Sequence, residues 1–523
     1  MAAKKITIYD TTLRDGSQGE GISFSVQDKL LILKKLDETG FHFIEGGWPG
    51  ANPKDSEFFA AAAKVRLKHA QLAAFGSTMK AHAKASEDDN LRGLLAAGTP
   101  AITIFGKSWD LHVREVFKVE LEENLRMISE SVKYLRSKGK EVIYDAEHFF
   151  DGYAANPEYA LRSVRAARDS GASVLVLCDT NGGSMPSTVA RVVAEVRAKL
   201  GEHPLGIHTH NDTAMGVANA VAAVQAGAVH VQGTVNGIGE RCGNCDLIPV
   251  IANLQLKLGF DCLSGQKVRE LTELSRFVGE VCNIVPAKNQ PYVGQSAFAH
   301  KGGVHIDAVK KNPVTYEHVD PALVGNHRKH LVSEMGGRTN ITLKAQEFGV
   351  ELKKDAPETK RILQEVQRLE NEGYQFEGAD ASLELLMRRE IGKRKEYFKA
   401  TAEIKNERIG DKNPDATATV WLTVDGVKKK AEATGDGPVD ALGLALREAL
   451  AASYPKVRDV KLDDYKVRIV NSKAGIAAKV RVVIEFHDDS RVWSTVGVST
   501  NIIEASWKAL LDAYEYKLFR SAR

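Results

Sequence analysis

Cysteine is scarce in this chain: five in 523 residues, at Cys178, Cys242, Cys245, Cys262 and Cys282. An odd, sparse set in so long a chain argues against a disulfide-built scaffold and fits a reducing compartment. Long apolar runs are missing too, and no uninterrupted stretch is long enough to span a bilayer. The opening Met-Ala-Ala-Lys-Lys leads into a strand-like run at Ile6 rather than into an apolar signal region. A cytoplasmic protein with no membrane partner is therefore expected. There is also no excess of charge of either sign. Lys+Arg number 71 and Asp+Glu 68, which argues against nucleic acid or a membrane surface as the main partner. A hydrophobic share of 43% and a charged share of 27% are ordinary for folded domains and argue against disorder.

What the sequence does contain is a rhythm. Eight short strand-like runs recur in the first half: Ile6–Tyr9, His42–Ile44, Gln71–Phe75, Ala101–Phe105, Glu141–Tyr144, Ser173–Leu177, Leu205–Ile207 and Val229–Val235. Segments of helical periodicity lie between them, among them Val26–Thr39, Leu121–Lys138, Pro157–Ser170, Ser187–Leu200 and Thr213–Ala226. Strand–helix alternation of this kind builds a parallel sheet with right-handed crossovers, and eight units predict a closed (β/α)8 barrel over residues 1–270. From 271 to 405 the alternation stops, and a charged, helical accessory subdomain is expected. From 406 to 523 an α+β domain is expected, with a strand–strand–helix unit that occurs twice. The first unit runs Thr417–Val424, the turn Asp425-Gly426, Val427–Ala433 and a helix over Pro438–Ala451; the second runs Lys479–Phe486, the turn His487–Ser490, Arg491–Val496 and a helix over Ile502–Lys517. Each unit is too small to bury a core alone, so the two should pack together. Such a module suits ligand sensing or dimerisation.

The polar residues fall in phase with the runs. Asp10, Arg14 and Asp15 follow the first, Glu45 the second, Ser77 the third and Lys107 the fourth. Glu147 follows the fifth, Asp179 and Thr180 the sixth, His208 and His210 end the seventh, and Asn236 and Glu240 follow the eighth. In a barrel all these ends meet at one face, where the active site lies. In His208-Thr209-His210 the two imidazoles, two apart on a strand, point to the same side and suit one metal ion. Asp15 is placed to add a third ligand and Arg14 a fixed cation; a plain Arg–Asp ion pair is the competing reading. Asn244, in Gly237-Ile238-Gly239-Glu240-Arg241-Cys242-Gly243-Asn244, offers a neutral oxygen. Cys242 and Cys245 form a lone C-x-x-C, too little for a zinc or redox site. Asn211 and Asp212 are expected to cap the helix that follows.

Three of these stretches together resemble the DRE-TIM metallolyase family, which includes the 2-isopropylmalate, homocitrate and citramalate synthases: Thr11-Thr12-Leu13-Arg14-Asp15-Gly16, His208-Thr209-His210, and Gly237 to Asn244. The resemblance continues through His300-Lys301-Gly302-Gly303-Val304-His305, through Gly435 to Ala441, and through Gly497 to Ile503. It implies a divalent metal (Mg2+, Mn2+ or Zn2+) on Asp15, His208, His210 and Asn244. It implies oxo-acid contacts from Glu147 and Thr180, with Arg14 binding substrate and stabilising developing charge. His305 and Tyr316 would serve in acid/base work, reaching the barrel of a neighbouring subunit in a homodimer, with Glu147 as a further catalytic residue that either orients His305 or acts as the base in its place.

Within that family, Glu45-Gly46-Gly47-Trp48-Pro49-Gly50-Ala51-Asn52-Pro53 resembles one branch of citramalate synthases. That implies condensation of acetyl-CoA with pyruvate, and isoleucine as a feedback inhibitor at the C-terminal domain. Trp48, Phe75 and Phe105 are candidate walls against larger oxo acids, with ordinary core aromatics as the alternative. The competing functions are 2-isopropylmalate or homocitrate synthase, a lyase running the carbon–carbon step in reverse, and a catalytically dead amino-acid-binding regulatory protein.

Overall fold

The structure is a computed structural model and describes residues 3–51, 53–331, 337–406, 416–470 and 478–521; Asn52 of the Trp48 stretch lies outside them. The eight runs form the strands of a closed parallel barrel: β1 (Thr7–Asp10), β2 (Phe43–Gly47), β3 (Gln71–Ser77), β4 (Ala101–Lys107), β5 (Glu141–Glu147), β6 (Val174–Asp179), β7 (Leu205–Thr209) and β8 (His230–Gly233). β8 closes on β1, with Thr7 beside His230 and Asp10 beside Gly233. Seven of the eight strands, all but β8, run past the apolar stretch that announced them. The apolar pattern ends where polar side chains begin, but the ladder is made by backbone groups and continues: Lys107 pairs with Glu147 and Asp179 with Thr209. Asp10, Glu45, Ser77, Lys107, Glu147, Asp179 and His208 therefore stand inside the strand ends, not after them, which fixes their direction.

The helices are set by local chemistry. Ser25 and Asp28 form a reciprocal capping box at the start of Val26–Thr39. Asn156 caps Pro157–Asp169, whose proline occupies the first turn, where its missing N–H costs nothing. The apolar faces of these helices, such as Leu33 and Leu36, Met127 and Val132, or Val192 and Val196, are buried in one core cluster with Ile8, Ile44, Ile104 and Leu177 of the strands. A separate plug of Tyr9, Ala73, Ala101, Ile143 and Val176 packs together as its own small cluster.

The chain divides into two compact units, residues 1–298 with 319–327, and 299–318 with 328–523. The second opens with a parallel pair, β9 (Ala299–His300) and β10 (Lys329–His330), and the helix Gly303–Lys311. Helices Arg338–Glu347, Pro357–Asn371 and Asp380–Glu390 then build a core from Ile341, Ile362, Val366, Leu383 and Met387. Two antiparallel sheets follow. One holds β11 (Lys399–Asn406), β12 (Ala416–Val424) and β13 (Val427–Gly435), with the helix Pro438–Ala451. The other holds β14 (Lys461–Ile469), β15 (Val480–Asp488) and β16 (Arg491–Ser499), with the helix Ile502–Ser521. The repeat is thus strand–strand–strand–helix, one strand longer per copy than the sequence suggested. The extra strands, β11 and β14, lie at sheet edges and are charged, and β14 is mostly exposed. Lysines on an edge discourage unwanted pairing and hide the strand's periodicity. The two copies share one core, in which Val420, Leu442 and Leu446 join Ile484, Leu510 and Tyr514. Among the described residues no helix is long and apolar enough to cross a membrane.

Candidate active site

The C-terminal ends of the barrel strands enclose a cavity of about 240 Å³, at the small end for a ligand pocket. Arg14, Asp15, Glu147, Thr180, His208 and His210 all line it. Two larger cavities, about 810 and 510 Å³, lie in the second unit. Their walls carry surface lysines and acid–base side chains, many engaged in ion pairs such as Lys311–Asp307 and Arg394–Glu515. The barrel mouth also holds ion pairs, but beside them lie buried acceptor atoms without a partner, Asp15 Oδ2 and His210 Nδ1.

Arg14 is fixed on three sides. Its Nε donates to Glu45 Oε1 at 2.5 Å, its Nη1 donates to Asp15 Oδ1, and its guanidinium lies 3.6 Å from the centre of the Phe75 ring. Glu45 is fully buried and accepts a second hydrogen bond from Tyr9 Oη at 2.6 Å. Asp15, His208 and His210 converge beside this group. His208 Nε2 is 3.7 Å from Asp15 Oδ2 and 3.2 Å from the Asn244 amide, and the two imidazole centres are 5.4 Å apart. A backbone bridge between His210 and Asn244 brings the β8 loop to this point. Burial lowers the pKa of both imidazoles, His210 to about 4, so both are neutral lone-pair donors at pH 7.

The donor set fits a divalent cation. Asp15 Oδ2, His210 Nδ1 and Asn244 Oδ1 are buried and without a hydrogen-bond partner, a costly arrangement that a cation would relieve. Among the described residues no group of three or more His, Cys, Asp or Glu side chains is arranged so as to hold a metal ion by itself; here Arg14 holds Asp15 Oδ1, and the fourth donor is an amide. Asp15, Glu45 and Asp145 face one half-buried guanidinium, and burial pushes the pKa of Glu45 and Asp145 up.

Three models of known families cover the chain in order. An HMGL-like model matches residues 5–278, a homocitrate synthase post-HMGL domain-like model 292–374, and a LeuA allosteric (dimerisation) domain model 377–518. The (R)-citramalate synthase of Aquifex aeolicus is 54% identical over 99% of this chain and 98% of its own length. That of Geobacter sulfurreducens is 51% identical over the same shares. A probable 2-isopropylmalate synthase of Methanopyrus kandleri is 34% identical over 97% of each chain.

This chain belongs to the HMGL-like family, in the (R)-citramalate synthase group.

In this HMGL-like barrel, Thr180 follows β6 and accepts the backbone N–H of His148 at 2.9 Å. With the oxygen so used, its hydroxyl hydrogen is free to donate elsewhere. Glu147 is held by Lys107 across β4 and β5. His305 and Tyr316 belong to the second unit and stack on each other with ring centres 4.2 Å apart; His305 is exposed. Asn211 accepts the backbone N–H of Gly216 across the preceding turn, but the N-cap of the helix Gly216–Gln225 is Met215, whose side chain makes no cap, so the expected capping by Asn211 is not seen. Asp212 does not cap: it pairs with Arg241, whose Nη2 also donates to the Thr180 carbonyl at 2.9 Å. Cys242 is exposed, Cys245 is buried, and both are free thiols.

Two residues that sequence reasoning missed complete the site. Gln232 on β8 donates its amide hydrogen to Asp145 Oδ1 at 3.0 Å, which turns its oxygen toward His208 Nδ1 at 2.8 Å. His208 must then carry its proton on Nδ1, leaving the Nε2 lone pair facing Asp15. The available signal was position: Asp145 lies two residues before Glu147 on β5, the same spacing that singled out the two histidines. Gln232→Leu is expected to weaken divalent-ion binding roughly 10- to 100-fold, measured by calorimetric titration. Unchanged affinity would remove Gln232 from the support of the site.

Proposed function

We propose that this chain joins the methyl carbon of acetyl-CoA to the keto carbon of pyruvate and, after thioester hydrolysis, releases (R)-citramalate and CoA. The observation that carries the reading is the convergence of a locked guanidinium with Asp15, His208 and His210 in one small cavity. Trp48, Phe75 and Phe105 line that same cavity.

Asp15, His208, His210 and Asn244 would hold a divalent cation, which supplies Lewis acidity toward a keto oxygen. Thr180 donates its hydroxyl hydrogen to the substrate carboxylate. Arg14 is restrained by Glu45 and Asp15, and among the described residues its Nη2 makes no hydrogen bond, so it meets the oxygen on which negative charge develops. Because these partners and Phe75 already set its orientation, little reorganisation is needed as charge appears. His305, stacked on Tyr316, serves as the base that takes the methyl proton, supplied by a second copy of the chain in a homodimer. The match to an allosteric dimerisation model supports that assembly and an effector at the C-terminal domain, for which we propose isoleucine.

A CoA-release assay with pyruvate, 2-oxoisovalerate and 2-oxoglutarate tests the reading. Pyruvate is expected to give the highest kcat/KM, with added isoleucine lowering the rate and leucine leaving it unchanged. A clear preference for 2-oxoisovalerate or 2-oxoglutarate would overturn the proposed substrate.

A further inference from the structure

The aromatic wall of the barrel cavity is held in place from behind. Trp48 follows β2, and its ring meets Phe75 at 6.0 Å and Phe105 at 5.7 Å, edge-on in both cases, while Phe75 and Phe105 stack at 5.5 Å. All three rings line the cavity. Phe75 also carries the Arg14 guanidinium, so the ring that limits space is the one that seats the cation. The backbone of Trp48 is pinned: its N–H donates to Asp55 Oδ2 at 2.9 Å, and Asp55 is paired with the buried Lys29 at 2.5 Å. Lys29 also donates to the Gly46 carbonyl at 2.9 Å. A Cβ on Gly47 would fall 2.6 Å from the Asp55 carboxylate, so this turn has no slack.

The indole is fixed separately. Trp48 Nε1 donates to Asn90 Oδ1 at 2.8 Å, and Asn90 Nδ2 donates to the Ser77 carbonyl at 2.6 Å. Asn90 stands in the first turn of the helix Asp89–Ala96, which Asp88 caps. Asn90 is not among the residues lining the cavity; it binds the Trp48 indole N–H and ties it to the end of β3. A half-buried indole N–H requires a partner, and here the partner's other end is anchored to a barrel strand.

We infer that Asn90 is a positioning residue for oxo-acid selectivity, holding the Trp48 ring against Phe75 and Phe105 so that the cavity stays too short for a 2-oxo acid one methylene longer than pyruvate. This rests on the proposed function, since it names what the cavity must exclude. Attraction discriminates weakly against an added methylene, so exclusion depends on a wall that does not yield. Without Asn90 the indole N–H loses the partner that holds it among the described residues, and the ring can turn out of line.

The test is a double-mutant cycle on selectivity, with kcat/KM for pyruvate divided by kcat/KM for 2-oxobutyrate as the readout. Asn90→Ala is expected to lower this ratio roughly tenfold, mainly by raising turnover of the longer acid. In a Trp48→Phe background, which has no indole N–H, Asn90→Ala is expected to change the ratio less than about twofold. An Asn90→Ala ratio within twofold of the parent, or the same loss in both backgrounds, overturns the inference. Asn90→Ser, too short to reach the indole, carries the same expectations should the alanine variant be insoluble. A parent that turns over neither acid defeats the proposed function instead, so the two failures are told apart.

Discussion

Arg14→Ala is expected to remain folded and to lose at least about 3 kcal/mol of transition-state stabilisation, roughly two orders of magnitude in kcat. The guanidinium is already oriented by Glu45 Oε1 at 2.5 Å and by the Phe75 face at 3.6 Å, so its contribution costs no reorganisation at the moment charge develops. Removing it leaves two buried carboxylates without their cation, an expensive outcome if both stayed ionised. Burial already pushes the Glu45 pKa up, so Glu45 takes up a proton while keeping its Tyr9 hydrogen bond. The cost then appears as a lower Tm rather than as unfolding. Arg14→Lys keeps a charge but loses the planar fork that reaches Glu45 and Asp15 together, and should recover only part of the rate. Steady-state CoA release alongside thermal melts separates these effects. Near-parental kcat in the alanine variant would take Arg14 out of the chemistry.

His208→Ala is expected to be at least as severe. It deletes one of two neutral imidazoles and leaves Gln232 and Asp145 with nothing to orient. A bound cation is worth several kcal/mol of charge stabilisation, so turnover should fall on the order of a thousandfold. After treatment with a chelator the parent should regain activity on adding Mg2+ or Mn2+, and the variant should not. Recovery of the variant to the parental rate would show that His208 is not a ligand.

The barrel was legible in the sequence because eight apolar runs and the polar residues behind them share one phase. The strand ends were not: a polar inward residue such as Asp145 or Glu147 breaks the apolar pattern without breaking the backbone ladder. His208-Thr209-His210 stood out because a strand's period of two aligns both rings. Gln232 did not, since one amide inside a strand reads as noise until Asp145, 87 positions away, fixes its direction. Asn90 was hidden for the same reason: its partner Trp48 is 42 residues distant, and only the fold brings them together. The edge strands β11 and β14 escaped notice because exposed charge masks alternation.

That Asp15, His208 and His210 grip a single divalent ion is tested most directly by counting the ion. Metal-stripped protein titrated with Mn2+, with free ion read by electron paramagnetic resonance, should show a single tightly held ion per chain, lost in Asp15→Asn. No bound ion in the parent, or undiminished binding in Asp15→Asn, would contradict the metal-assisted reaction assigned to this barrel.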